Sequence, residues 1–562
     1  MNKRYAALEN NLPLLKESRH GLEIETLRID SEGRISQKDH PKPLGAKLTH
    51  PHISTDFGEA QLELIAPPLK REAALVSYIE KLKAFIHLKN PDELLWPFSA
   101  PCSLKAHEEV RIARFGSSNA GWEKEVYREG LSNRFDRRMQ ALSGVHYNFS
   151  LTPAFWEVLG DPSEGYLHIV RNFMRHGWLL TYLFGASPYL ENVSAPFATS
   201  LRMSEYGYFS KVQQQMRISF NSLEKYLEDL SLALETPSLD FLKIGTYKEG
   251  KWKQLNPNIL QIEAEHYSRI RPKPSKESPL RPLHSLQKEG ITYVEVRALD
   301  LQPFANGSIS AECLRFLHAF LLFCLIEESP PLSIEEELKL AAQENRIALE
   351  GRSPAMRPFV AEGAKILDKV QEAAALLDRA WGGSNYKKSV EAQRPLIGDP
   401  EKTPSARIVR ERGENSFQEY ALQKARGMKF VTLTPKEIHR FEQMAQKSWE
   451  ALEELEWRDD FILPGFEDLH PSTQCLLREA MRRGVSIETL DHKAHFFRLR
   501  RGAVTQDIKD ANMTAKDNLI SYFKMENKAV TKTLLEQAGI KTPQGRLCYT
   551  PEEALANTNS RY

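Results

Sequence analysis

Residues 21–28, Gly-Leu-Glu-Ile-Glu-Thr-Leu-Arg, alternate acidic with apolar side chains. A period of two belongs to a strand, so Leu22 and Ile24 share one face and Glu23 and Glu25 the other. At a rise of about 3.3 Å per residue the two carboxylates lie roughly 7 Å apart. Such a face is either the solvated side of an antiparallel sheet or a set of oxygen ligands for a hard cation such as Mg2+. The pattern returns three more times, which favours the second reading. In Ser54–Ala66, Glu59, Gln61 and Glu63 share a face, and Asp56 precedes Gly58, where a bulge or close approach is expected. In Ser143–Ser150 the shared face carries His146, Asn148 and Ser150. In Ile291–Leu299 it carries Glu295 and Arg297 with Tyr293.

If these four strands share a sheet and face the same way, Glu23, Glu25, Asp56, Glu59, Glu63, His146 and Glu295 converge, with Arg297 beside them. Uncompensated, that convergence is costly. Two or three divalent cations relieve it, and carboxylate-plus-water sites suit Mg2+ or Mn2+. An arginine next to such ions is a natural partner for a transferring phosphoryl group. The pattern points to nucleotide-phosphate chemistry without a Walker motif. The loop Phe115–Gly121 has small residues that let backbone amides approach an anion, but it carries no such motif.

The chain of 562 residues is long enough for two to four domains. With 76 basic and 75 acidic residues it is not a general binder of nucleic acid or of membrane surfaces. Its five cysteines form no CxxC pair, so neither a zinc ribbon nor a disulfide framework is expected. The first residues carry no apolar signal segment, and the greasiest run, Leu314–Ile326, is too short to span a bilayer and reads as a buried helix. A cytoplasmic protein is expected. Helices are expected over 70–89, 165–185 and 221–236 and through most of 308–450, with the Pro-rich stretch 271–285 breaking the chain. A linker at 461–471 separates residues 1–460 from residues 472–562. The tail is expected to hold a helix at Ser472–Arg483, strands at Val485–Leu490 and Phe496–Leu499, a helix at Asn527–Gly539, and a strand after Pro543.

The ordered segments GLEIETLRID, STDFGEAQLELIAPP, WPFSAPC, YREGLSNR, SGVHYNFS, FGASP, ATSLRMSEYGY, HYSRIRPK and YVEVRALDLQPF closely resemble the proteobacterial type of glutamate–cysteine ligase (γ-glutamylcysteine synthetase) over about residues 15–455. The resemblance implies an α+β, glutamine-synthetase-like fold, a curved and mainly antiparallel sheet with helices around it. It implies ATP-dependent joining of the glutamate γ-carboxylate to the cysteine amine through γ-glutamyl phosphate, the first step of glutathione biosynthesis, with Mg2+ or Mn2+. Glu23, Glu25, Asp56, Glu63, His146 and Glu295 would then be metal ligands, and Glu59 matches a less certain position. Glu25 and Arg297 would act in catalysis, with Arg297 on phosphate. Tyr127, Arg128, Arg202, Tyr208 and Tyr267 fall in substrate-binding segments, with Arg202 on a carboxylate or phosphate. The loop after Pro188 is shorter than the family's, which puts its closure over substrate in question.

The tail, with Asn512–Asn518, Asn527-Lys528, Thr531-Lys532, Ala538–Ile540 and Pro543, resembles the start of the ATP-grasp module that follows the ligase in bifunctional glutathione-synthesising proteins. A whole module takes roughly 200 residues more, so the tail is expected to be incomplete, unstable by itself, and without glutathione synthetase activity. Three alternatives remain open from the sequence: a related ligase with another acceptor amine, a non-catalytic binding or regulatory homologue, and a fragment of a bifunctional protein.

Overall fold

In the computed structural model the acidic stretch is the central strand of a sheet. The described residues are 3–558, apart from 208, 209, 215, 249, 250, 279, 280, 459–465, 467, 484, 544 and 546. The chain divides into one unit over 1–465 and another over 466–562.

In the first unit the strands are β1 (Arg19–Ile29), β2 (Ile53–Thr55), β3 (Gln61–Leu69), β4 (Leu94–Leu95), β5 (Gly144–Ser150), the small hairpin β6 (Tyr247–Lys248) and β7 (Lys251–Trp252), β8 (Ile270–Lys273) and β9 (Tyr293–Asp300). Among the described residues seven of them form one sheet in the order β2-β3-β1-β5-β9-β8, with β4 added to β1. Every pairing is antiparallel. The four acidic segments therefore do share a sheet.

Two expectations about these strands are corrected. Ser54–Ala66 is not one strand. A turn closed by Asp56 N–H to Gln61 O (3.0 Å) and Gln61 N–H to Gly58 O (2.9 Å) splits it into β2 and β3. The Pro-rich stretch at 271–285 opens with a strand, β8, rather than a break. β8 lies at the sheet edge, where Pro272 forfeits no ladder bond.

The apolar alternates form the core. Leu22, Ile24, Leu62, Leu64, Val145, Phe149, Val294 and Val296 are all fully buried. They pack against the helices Glu72–Lys89, Ala311–Ile326 and Arg357–Trp381. Burying one such side chain stabilises by about 1.5–3 kcal/mol, so a one-residue slip of β1 would forfeit several of these terms together. The greasy run is the buried helix the sequence suggested. The expected helix 165–185 is two, Pro162–His176 and Trp178–Phe184, parted at Gly177.

Behind the sheet a buried polar chain fixes β1 and β5 to three helices. Tyr147 O–H donates to His20 Nδ1 (2.7 Å), and His20 Nε2–H donates to Ser18 Oγ (3.2 Å). Ser18 O–H donates to Leu15 O (3.3 Å) and its oxygen lies 3.5 Å from His318 Nε2, while His318 Nδ1–H donates to Glu72 Oε1 (2.8 Å), which also accepts from Tyr386 Oη (2.9 Å). Burial, and then His318 beside it, lower His20 to about 3, which keeps it neutral as this chain requires.

The second unit holds the antiparallel sheet β10 (Ser486–Asp491), β11 (Phe496–Arg501), β12 (Val504–Lys509) and β13 (Met513–Thr514), with the helix Pro471–Arg482. Helices Leu519–Glu526, Lys528–Gln537 and Pro551–Thr558 follow. No strand follows Pro543 among the described residues; a helix stands there instead. Most of the expected linker 461–471 lies outside the described residues. No described helix is long and apolar enough to cross a membrane.

Candidate active site: a buried carboxylate face

Register brings the polar alternates together. Glu25 pairs with Glu63 across β1 and β3, Glu23 with His146 across β1 and β5, and Glu295 with Asn148 and Arg271 on either side of β9. A bulge sets Arg297 and Ala298 of β9 against the single residue His146, because Val145 pairs with Leu299 and Tyr147 with Val296. This face is not a solvated edge: Glu23, Glu25, His146 and Glu295 are 7, 4, 4 and 3% exposed.

His146 spans the two acids of β1, with Nδ1 3.5 Å from Glu23 and Nε2 3.5 Å from Glu25. Arg297 Nη1 lies 3.5 Å from His146 Nδ1 and 3.2 Å from Glu295 Oε2. Glu23, His146 and Glu295 each offer a ligand atom within 4.8 Å of the others. Asp56 and Glu63 are half-buried.

The charges on this face are unevenly compensated. Burial opposes ionisation of Glu23, but His146 and Lys276 outweigh it and take the group down to about 2. Glu295 is likewise held well below the usual range, by Lys273, Arg297 and Arg271 against burial. Glu25 is pushed well up by burial and by Asp56, more than Arg297 and Arg202 bring it down. Glu63 is pushed up to about 7 by burial, Glu23 and Asp56. Burial, and then Arg297, lower His146. One half of the face thus has its cations in contact, whereas at Glu25 and Glu63, beside Asp56, the cations Arg297, Arg202 and Lys124 do not offset burial and mutual repulsion. A donor set of carboxylate oxygens and one imidazole, with this deficit, fits a hard divalent cation.

Glu59 does not join the face. The turn at 56–61 sends it to Lys47 (2.5 Å) and to the backbone N–H groups of His40 and Arg114, both 2.9 Å away. Arg128 Nε donates to Asp56 O (2.6 Å), and its guanidinium stacks 4.5 Å from the Phe115 ring. Arg202 is buried and bound to Asp300 at 2.9 Å, to Arg297 O at 3.0 Å and to Leu299 O at 2.5 Å. It still acts on Glu25, which Gly144 N–H also holds at 2.7 Å. Tyr127 and Tyr267 are both pushed up by burial and then Glu265, and Tyr267 Oη accepts from Gln140 Nε2 (3.1 Å). Arg134, paired with Glu265 at 3.0 Å, backs these tyrosines. Tyr208 lies outside the described residues. A cavity of about 800 Å³ among Ala100, Cys102, Leu142, Tyr189, Tyr206 and Phe417 contains none of the expected ligands.

The sequence placed Asn148 on the face of His146 but did not single out Lys273, Lys276 or Arg271. Lys273 lies 3.6 Å from Glu295, Lys276 3.3 Å from Glu23, and Asn148 Nδ2 2.8 Å from Glu23. The i, i+2 spacing of Arg271 and Lys273 was the available signal, hidden by Pro272 between them.

The comparisons with known proteins show the family. The family model described as Glutamate-cysteine ligase matches residues 5–347. The chain belongs to the glutamate–cysteine ligase family. A glutamate–cysteine ligase of Azotobacter vinelandii is 41% identical over 495 residues, covering 80% of this chain and 93% of the relative. One from Pseudomonas entomophila is 40% identical over 464 residues, covering 76% and 88%. Among solved structures, the glutamate–cysteine ligase of Francisella tularensis in complex with AMP matches with a TM-score of 0.75 at 31% identity, over 79% of this chain and 96% of that one. A bifunctional glutathione synthetase from Pasteurella multocida matches with a TM-score of 0.63 at 28% identity, over 99% of this chain and 68% of that one. An ATP-grasp-like domain matches residues 467–520.

Proposed function

We propose that this chain joins the γ-carboxylate of glutamate to the amine of cysteine with ATP, on the carboxylate face of residues 1–460, in the cytoplasm. A glutamate γ-carboxylate oxygen attacks the γ-phosphorus of ATP, the bond to the β-phosphate oxygen breaks, and ADP leaves γ-glutamyl phosphate behind. The cysteine amine then attacks the acyl carbon, gives up a proton, and expels phosphate. The observation that carries this reading is the charge deficit at Glu25, Asp56 and Glu63 next to Arg297, in a chain of this family.

Glu23, Glu25, Asp56, Glu63, His146 and Glu295 would hold Mg2+ or Mn2+, which when bound supplies charge neutralisation for the phosphate oxygens. Arg297 meets the transferring phosphoryl group, already oriented by Glu295, and stabilises charge as it develops. His146 keeps the acids of β1 in register with one another. Arg128 and Arg202 orient anionic groups of the substrates, and Tyr127, Tyr208 and Tyr267 line the amino-acid side. Residues 472–562 contribute an ATP-grasp-like segment to the chain.

The test is phosphate release from ATP with glutamate and Mg2+, with and without cysteine, in the wild type and in Glu25→Gln. Cysteine-dependent release that collapses in the variant supports the reading. Release with 2-aminobutyrate but not cysteine changes the acceptor, and no release with any amine refutes it.

A further inference from the structure

Lys276 stands apart from the other cations of the face. It lies past the end of β8, beyond Pro274 in a turn, and its side chain is 62% exposed. Its ammonium nonetheless reaches inward to 3.3 Å from Glu23 Oε1, the oxygen that Asn148 Nδ2 also bonds at 2.8 Å. Lys273 makes the matching contact to Glu295 from within β8, where its backbone is paired with Tyr293. One cation is fixed by the sheet, and the other sits on a turn that can release it.

Glu23 belongs with His146 and Glu295 to the set whose ligand atoms cluster within 4.8 Å. The ammonium therefore stands beside the position a divalent cation takes there, and two cations a few ångströms apart on one carboxylate repel. A compact ammonium on a flexible four-carbon stem is suited to exchange. Displaced toward solvent, it meets whatever anion lies over the face, and a polyphosphate is an ordinary partner for lysine.

We infer that Lys276 is an exchangeable counter-ion: it neutralises Glu23 in the metal-free protein and turns to the phosphates of the nucleotide when a divalent cation takes its place. This rests on the reading of the face as a metal and ATP site. Lysine thereby protects the acids from mutual repulsion between turnovers and adds a phosphate contact during them.

The test uses the full chain and Lys276→Ala, with Mn2+ binding followed by electron paramagnetic resonance in the absence of nucleotide. Binding of the magnesium complex of a non-hydrolysable ATP analogue is followed separately by calorimetry. The variant binds Mn2+ about fivefold more tightly, the size of a partly exposed ion pair removed, and binds the nucleotide about fivefold more weakly. Lys276→Arg, which keeps the charge, stays closer to the wild type in both. A structural role would weaken both affinities in Lys276→Ala, and that result overturns the inference. So does unchanged Mn2+ affinity, or nucleotide binding no weaker than in the wild type. A wild type that binds no Mn2+ overturns the underlying reading and this inference with it.

Discussion

Replacing Glu63 by Gln should stabilise the metal-free protein while damaging its site. Burial, Glu23 and Asp56 push this carboxyl from 4.5 up to about 7. A raised carboxyl is protonated in the folded chain while its unfolded counterpart has already ionised. The unfolded state then binds fewer protons, so this group lowers stability as pH rises from about 4.5 to about 7, and the penalty is constant above that. The full difference corresponds to about 3 kcal/mol. Glu63 is only half-buried, and solvent screening halves this to about 1.5 kcal/mol. In EDTA, Glu63→Gln should match the wild type near pH 4.5 and exceed it by about 1.5 kcal/mol at pH 8, a rise in melting temperature of about 1–3 °C for a unit of this size. In saturating Mg2+ the order should reverse, because the wild type gains binding free energy that the variant loses. The assay is denaturant unfolding of both proteins at several pH values, with EDTA and with Mg2+. A variant no more stable than the wild type at pH 8 in EDTA would refute the charge-deficit argument.

Three further outcomes follow from the same geometry. Arg297→Met should lower kcat for phosphate release by about 10²–10³, the usual cost of one preorganised donor, with the circular dichroism spectrum unchanged. Asp300→Ala leaves the Arg202 guanidinium buried without its carboxylate, so unfolding should show a loss of about 3–5 kcal/mol, and Asp300→Asn a smaller one. Brief proteolysis should cut residues 515–558 before the sheet of the first unit, since Leu519, Ile520, Phe523 and Tyr549 are exposed and the helices there contribute little to a core; resistance of that segment would show an independently stable tail.

The alternation of Glu23 with Leu22 and Ile24 was legible because a strand has only two faces, and the core needed one of them. The same rule placed His146, Glu295 and Arg297. It failed at Glu59, where a backbone turn between Asp56 and Gln61 breaks the alternation that residue spacing alone suggests. It also missed Lys276, which comes from a turn and joins the site through a long flexible side chain rather than through strand register. Arg202 was expected on a carboxylate or phosphate from the family resemblance alone, and its burial and its hold on Asp300 depend on how residues 98 positions apart pack, which no local pattern encodes. The buried chain from Tyr147 through His20 to Glu72 was likewise invisible, since its members lie on β1, β5 and three separate helices.

In the proposed reaction this face transfers the γ-phosphoryl group of ATP to the γ-carboxylate of glutamate. The most direct measurement supplies glutamate labelled with 18O in that carboxylate, with ATP, Mg2+ and cysteine, and reads the label by mass spectrometry. Transfer through γ-glutamyl phosphate puts one 18O atom in each phosphate released and none in the nucleotide. Label found in AMP, or unlabelled phosphate during cysteine-dependent turnover, would contradict it.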